Sequence, residues 1–166
     1  MSESTVESSQ SVSCQLRPSR QYRYEKSPKQ QLKANSSKMS GDASDFLLRS
    51  AAFLGSTGVG AGAFGAHALK STLEKQTNGV ENWKTAVMYQ LIHATALLAL
   101  SALSSSSGKN SVKWLKSGKL MGLGSVIFSG SIYCLTLNVG PKKVLGPITP
   151  IGGLLMIGGW AVLGLV

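Results

Sequence analysis

The chain reads as an all-α, four-span transmembrane helical bundle behind a disordered N-terminal tail. Three observations carry that expectation. Apolar runs at about residues 46–69, 83–103, 120–137 and 149–166 each approach the roughly 20 residues that a helix needs to cross a bilayer. Glycine is concentrated in them, with 18 of the 19 glycines after residue 45. In water each would cost a helix about 0.8–1 kcal/mol relative to alanine, whereas in lipid small residues let helices approach closely. The lysines, finally, stand at the ends of the apolar runs, where membrane proteins keep them.

At 166 residues there is room for one domain and a tail. The formal charge of +10 divides unevenly: residues 1–45 carry +2 and residues 46–166 carry +8. A nucleic-acid binder would gather such charge on one face of a soluble fold, so nucleic acid is not an expected partner. The lipid bilayer is, together with other membrane proteins or further copies of the chain.

Residues 1–45 form a basic, Ser-rich segment with many Gln and no apolar period, the composition of a disordered tail. No apolar h-region precedes Phe46, so a secretory signal peptide is not indicated. Arg17 to Lys38 has the Arg/Ser bias of an organelle transit segment, but Glu3, Glu7 and Glu25 interrupt the usual acid-poor pattern. A plain solvated tail is the preferred reading. Cys14 and Cys134 lack any CxxC or Cys/His context, so neither a disulfide framework nor a metal site is expected, and Cys134 reads as a small packing residue.

The first span, Phe46 to Leu69, takes Ser44 or Asp45 as N-cap. Arg49 snorkels toward the head groups. Gly58, Gly62 and Ala66 fall at i, i+4, i+8 as one close-packing stripe, and Ala52, Ser56 and Gly60 make a second. Residues 70–82 are polar, with an Asn78-Gly79 turn signal and a turn of interfacial helix around Leu73. Trp83 and Lys84 mark the interface at the start of the second span, which carries Tyr89, Gln90, His93 and Thr95. Ser104 to Lys119 reads as a loop, with Trp114 and lysines 109, 113, 116 and 119 leading to the third span. That span holds Gly122, Gly124, Ser125, Ser129, Gly130, Ser131 and Tyr133. The fourth begins with Thr149 as N-cap and Pro150 at its first position, then continues through Gly152, Gly153, Gly158, Gly159 and Trp160.

Four spans put both termini on one side. Seven cationic residues (Lys33, Lys38, Arg49 and the four loop lysines) share it against five opposite, which favours a cytoplasmic or matrix-like side. The choice between a plasma membrane and an organelle inner membrane is left open.

Several pieces come in a fixed order: Gly62-Ala-Phe-Gly-Ala-His67, Trp83-Lys-Thr-Ala86, Tyr89-Gln-Leu-Ile-His93, Phe128-Ser-Gly-Ser-Ile-Tyr133, Thr149-Pro-Ile-Gly-Gly153 and Gly159-Trp160. As an ordered set they resemble the YgdD family, whose animal members are called transmembrane protein 256. The resemblance covers about residues 46–166 and implies a small multi-pass membrane protein of an uncharacterised family. It carries over no activity and no ligand residue, and the long Ser-rich tail departs from the short bacterial pattern.

Polar groups within spans are functional candidates by default. They form one expected intramembrane cluster: His67, Tyr89, Gln90, His93, Ser129, Ser131 and Tyr133. His67 and His93 are the only histidines, on the order of 10 Å apart in depth by helical rise, which is awkward for shared ligation of a haem or metal. Helix packing is expected to rest on Gly58, Gly62, Ala66, Gly122, Gly152 and Gly153. Gly55 to Gly65 lacks the lysine of a phosphate loop, and no strand or acidic residue supports a dinucleotide fold. No catalytic residue and no cofactor is expected. The preferred reading is therefore a non-enzymatic structural or interaction component. A small oligomeric solute transporter or channel is the alternative, and a haem- or metal-binding subunit using His67 and His93 is the third reading.

Overall fold

A computed structural model describes residues 27–106 and 110–165. Five helices follow in order: α1, Pro28–Ala66; α2, Lys70–Leu73; α3, Gly79–Ser106; α4, Ser111–Thr136; and α5, Lys142–Gly164. There is no strand among the described residues. The all-α expectation holds. By length and composition three helices can cross a membrane, namely α3, α4 and α5. The first of the four expected spans is not among them. Its apolar run lies in α1, diluted by Arg49, Ser50, Ser56, Thr57 and five glycines from Gly55 to Gly65.

Helix α1 begins much earlier than the expected span. Ser27 is its N-cap, Pro28 stands at the first position, and Ser27 and Gln30 close a capping box in which each side chain accepts from the other's backbone N–H. Residues 28–45, expected to be disordered, are thus helical. Ser44, expected as a cap, is buried inside the helix and bonded to α3. Residues 1–26, with Cys14 and the remainder of the expected tail, lie outside the described residues, as does Lys109.

Three other boundaries move for a common reason. Expected spans stop where the apolar residues stop, but the helices continue past them, in α4 and α5 on lysines, whose helix propensity is good. Helix α4 therefore starts at Ser111 and takes in Trp114, Lys116 and Lys119, which the sequence places in a loop. Helix α3 starts at Gly79. Helix α5 starts at Lys142, so Pro147 and Pro150 lie inside it and Thr149 is not its cap. The two prolines remove donors from its first turns, near the membrane surface, where other groups can serve the freed carbonyls. The turns use the expected chemistry: Asn78 and Asn138 have φ near +56° and +57°, and Gly140 has φ +84°.

Consecutive long helices pack antiparallel, α1 on α3, α3 on α4 and α4 on α5, with α1 also touching α4. The buried positions of α1 include Leu47, Ala51, Leu54, Gly58 and Gly65, and those of α3 include Trp83, Ala86, Gln90, His93, Leu97, Leu100 and Ser104. Both series alternate steps of three and four, apart from the one longer interval at Ala61, the spacing of knobs-into-holes packing. The central cluster is Leu47, Ala51, Leu54, Ala94, Leu97, Leu100, Trp114 and Met121.

Helices α4 and α5 meet backbone to backbone. A Cβ on Gly152 would lie 2.5 Å from the Phe128 amide nitrogen, and one on Gly124 would lie 2.7 Å from the Gly152 carbonyl oxygen. Ser117 Oγ donates to the Gly159 carbonyl at 2.7 Å in the same seam. Backbone cannot yield as a flexible side chain can, so Gly152→Leu is expected to lower stability in an SDS-unfolding titration by about 2–3 kcal/mol. Gly158→Ala, with nothing within 4 Å of its Cβ, is expected to stay within about 0.5 kcal/mol of wild type.

Candidate functional site

The polar groups inside the bundle centre on Gln90. Its position on α3 faces both α1 and α4, and its side chain is 6 % exposed. The Nε2 donates to the Leu54 carbonyl at 2.9 Å and to Thr57 Oγ1 at 2.8 Å, both on α1. The Oε1 accepts from Tyr133 Oη of α4 at 2.9 Å. One carboxamide therefore uses both ends to join three helices. Thr57 Oγ1 in turn donates to the Phe53 carbonyl at 2.7 Å. Tyr133 also packs its ring on Trp83, with centroids 4.5 Å apart, and Trp83 Nε1 donates to the Ala61 carbonyl at 2.9 Å. Ser129 Oγ adds a bond from α4 to the Ala86 carbonyl of α3 at 2.8 Å.

His93 makes the corresponding link toward α5. Its Nδ1 lies 2.8 Å from the Tyr89 carbonyl, and its Nε2 lies 3.3 Å from Trp160 Nε1. A carbonyl only accepts and an indole N–H only donates. The two partners together specify one neutral tautomer, with the proton on Nδ1 and Nε2 accepting. Tyr89 contributes its carbonyl; its ring, half exposed, lies against Phe128 with centroids 5.0 Å apart. Ser131 Oγ pairs with Thr149 Oγ1 of α5 at 2.7 Å.

The expected polar cluster is therefore divided rather than convergent. Gln90, Tyr133 and Ser129 are brought together, His93 reaches α5, Tyr89 lies against Phe128 of α4, and Ser131 has its own partner. His67 is outside the cluster altogether, exposed as the C-cap of α1. It lies two residues past the Gly65–Trp83 contact, about 18 Å along the helix axis from His93 at 1.5 Å per residue. The two histidines do not share a site. Among the described residues no three His, Cys, Asp or Glu side chains come together.

The expected packing residues are placed unevenly. A Cβ on Gly58 would meet Leu91 of α3 at 2.9 Å, and one on Gly62 would meet Val87 at 3.5 Å. Ala66 is exposed, and Gly65 takes the tight contact, against the Trp83 indole. The reason is geometric: contacts repeat near 3.5 residues, so a strict i, i+4, i+8 stripe drifts off the seam. Gly152 is tight, whereas Gly122 and Gly153 make ordinary contacts at 3.5 and 3.9 Å. The second stripe, Ala52, Ser56 and Gly60, packs on no helix of the bundle: Ala52 and Ser56 are exposed, and Gly60 has nothing within 4 Å of its Cβ. Trp83 and Trp114, expected as interfacial markers, are buried. Sequence reasoning missed Gly118 and a serine clasp in which Ser40 and Ser44 of α1 bond Ser101, Ser104 and Ser105 of α3. The signal was present, since Ser40, Ser44 and Leu47 continue the α1 contact series into the segment set aside as tail.

Interhelical hydrogen bonds in membranes average about 0.6 kcal/mol and reach about 1.7. Gln90→Leu removes three and is expected to lower stability toward SDS unfolding by about 1–2 kcal/mol, Tyr133→Phe by about 0.6. In a double-mutant cycle the two should couple, because Tyr133 Oη loses its acceptor once Gln90 is gone.

A family profile described as "Protein of unknown function (DUF423)" matches residues 61–153. The chain is 46 % identical over 105 residues to a UPF0382 membrane protein of Staphylococcus haemolyticus, covering 63 % of this chain and 80 % of the relative. It is 40 % identical over 114 residues to one from Schizosaccharomyces pombe, covering 67 % and 92 %. It is 36 % identical over 121 residues to the UPF0382 inner membrane protein YgdD of Escherichia coli, covering 72 % and 87 %. No solved structure matches. The matched residues run from the Trp83 contact on α1 to the Gly152 seam on α5, and the chain belongs to the DUF423 (UPF0382) family of membrane proteins, of unknown function.

Proposed function

We propose that the chain is a non-enzymatic, four-span component of its membrane, acting through contacts with lipid and with other membrane proteins or copies of itself. The Gln90 node carries this reading. The Gln90, Thr57 and Tyr133 atoms that a solute path or a bound cofactor would use are bonded from helix to helix instead. After Asp45 the only carboxylates are Glu74 and Glu81, beside or outside the apolar runs, which leaves no acidic relay for protons within the bundle.

The fourth span is the second half of α1, Phe46 to Ala66. Support comes from its packing: α1 follows α3 from Ser40 to Gly65, about 38 Å at 1.5 Å per residue, more than the roughly 30 Å hydrocarbon core. It exposes Leu48, Val59 and Phe64, together with Phe46 and Phe53 on the side of α4, a surface suited to lipid. The lysine bias supports both termini on the cytoplasmic or matrix-like side.

The test is purification of the full chain in mild detergent, with a visible spectrum, metal content, and flux assays in liposomes for monovalent cations, anions and protons. The expected protein is colourless, without stoichiometric metal and without flux, and forms defined complexes in cross-linking. A haem band or stoichiometric metal lost in His93→Ala, or a flux lost in Gln90→Leu, would overturn the proposal.

A further inference from the structure

Helices α1 and α4 do not close against each other along their length. They touch near Leu47 and Gly118, then diverge. The space between them is an open groove in two stretches, each of about 310 Å³, that share Phe53, Leu54 and Val126. Glycine keeps the α4 wall low: Gly122 lines one stretch and Gly130 the other, and a Cβ on Gly130 would have nothing within 4 Å. Gln90 and Tyr133 form the floor of the second stretch. The polar atoms of that floor are spent on one another, on Thr57 and on backbone carbonyls. What the groove offers an occupant is therefore mostly hydrocarbon and ring surface.

The groove has one charged mouth. Arg49 lines it beside Phe46. From the facing helix, Lys119 leans across, its Nζ 5.5 Å from the Phe46 ring centroid. Asp45 stands one turn before Arg49, which leaves the mouth net positive. Among the described residues neither cation is held in an ion pair. From Phe46 to Ala61 the groove runs about 22 Å by helical rise, longer than the roughly 15 Å half-thickness of the hydrocarbon core. Two cations outside any ion pair at one end and an apolar trough long enough to cross one leaflet suit an anionic headgroup and its acyl chain in both chemistry and length.

We propose that the α1/α4 groove binds one acyl chain of an anionic phospholipid, with the phosphate at Arg49 and Lys119. The proposal rests on α1 spanning the membrane. Gly130 lines the groove and a Cβ there meets nothing within 4 Å, so Gly130→Leu adds bulk at the groove wall. Gly158→Leu, on α5 outside the groove and likewise with nothing within 4 Å of its Cβ, is the matched control.

The full chain, reconstituted in phosphatidylcholine vesicles, is exposed to phosphatidylglycerol carrying a photoreactive group on one acyl chain, and the labelled residues are mapped. Labelling is expected to concentrate on the groove residues between Phe46 and Ala61 and between Gly122 and Tyr133. It should fall about tenfold in Gly130→Leu, the effect of about 1.4 kcal/mol of lost contact, and stay unchanged in Gly158→Leu. Phosphatidylcholine carrying the same probe should label the groove more weakly, and the preference should vanish in the Arg49→Gln/Lys119→Gln double variant. Equal labelling of the groove and of outward positions such as Leu48 and Phe64, unaffected by Gly130→Leu, would overturn the groove while leaving α1 in the membrane. Absence of label anywhere on α1 would overturn both the groove and the fourth span.

Discussion

Gln90 is asked to do what no other side chain in the bundle does. A carboxamide in lipid must have both its oxygen and its nitrogen paired, because neither can turn to water. Here the nitrogen is satisfied only by α1 and the oxygen only by α4. The side chain is content in one arrangement of three helices and in few others. Much of the remaining polar pattern follows: Thr57 and Tyr133 are its partners, Trp83 packs on Tyr133, and Ser129 locks α4 to α3 one turn of α3 away. These bonds are individually small in a membrane. Their value is orientation, since a helix rotated about its axis would lose them together.

Glycine performs a different task at the other side of α4. Between α4 and α5 there is no polar node at mid-depth, and dispersion must serve instead. It does so because Gly124 and Gly152 bring backbone onto backbone, where many atoms reach contact distance at once. Bonds at both ends, Ser117 to Gly159 and Ser131 to Thr149, set the register of that seam. His93 then reaches past α4 to Trp160, so that α5 is tied to α3 as well. The histidine that composition offers as a ligand is thereby committed, at both nitrogens, to holding a helix.

Much of this was legible in the chain. Apolar runs, lysine placement and glycine enrichment identify a helical membrane bundle, and the polar residues of the second and third runs are the ones that form the node. Two things were not legible, for physical reasons. Helix ends cannot be read from hydropathy when helices outlast the apolar run, so hydropathy puts Trp114 in a loop and Pro150 at a helix start. Contact partners cannot be read from one helix alone: Gly58 and Gly60 look alike in sequence, yet one lies under Leu91 and the other on open surface. The Ser40–Ser44 clasp was hidden by composition, because serines in a Lys- and Gln-rich segment resemble a solvated tail until a facing helix supplies Ser101 and Ser105.

Helix α1 is where these strands meet. It is the long helix that composition leaves short of membrane-crossing character, because its glycines and hydroxyls cost apolar surface. Those same residues permit its fit on α3: Gly58 admits Leu91, Gly65 admits the Trp83 ring, and Thr57 completes the Gln90 node. A helix of this kind gains from its neighbour what it lacks in lipid affinity. The neighbour needs it in turn, since without α1 the Gln90 and Trp83 donors of α3 would face hydrocarbon unpaired. Helices α3 to α5 have the apolar content to stand as spans by themselves, yet their polar residues are arranged for a partner. The bundle is therefore best understood as three helices apolar enough to span alone and a fourth long helix defined by its contact with α3, with an open groove between it and α4.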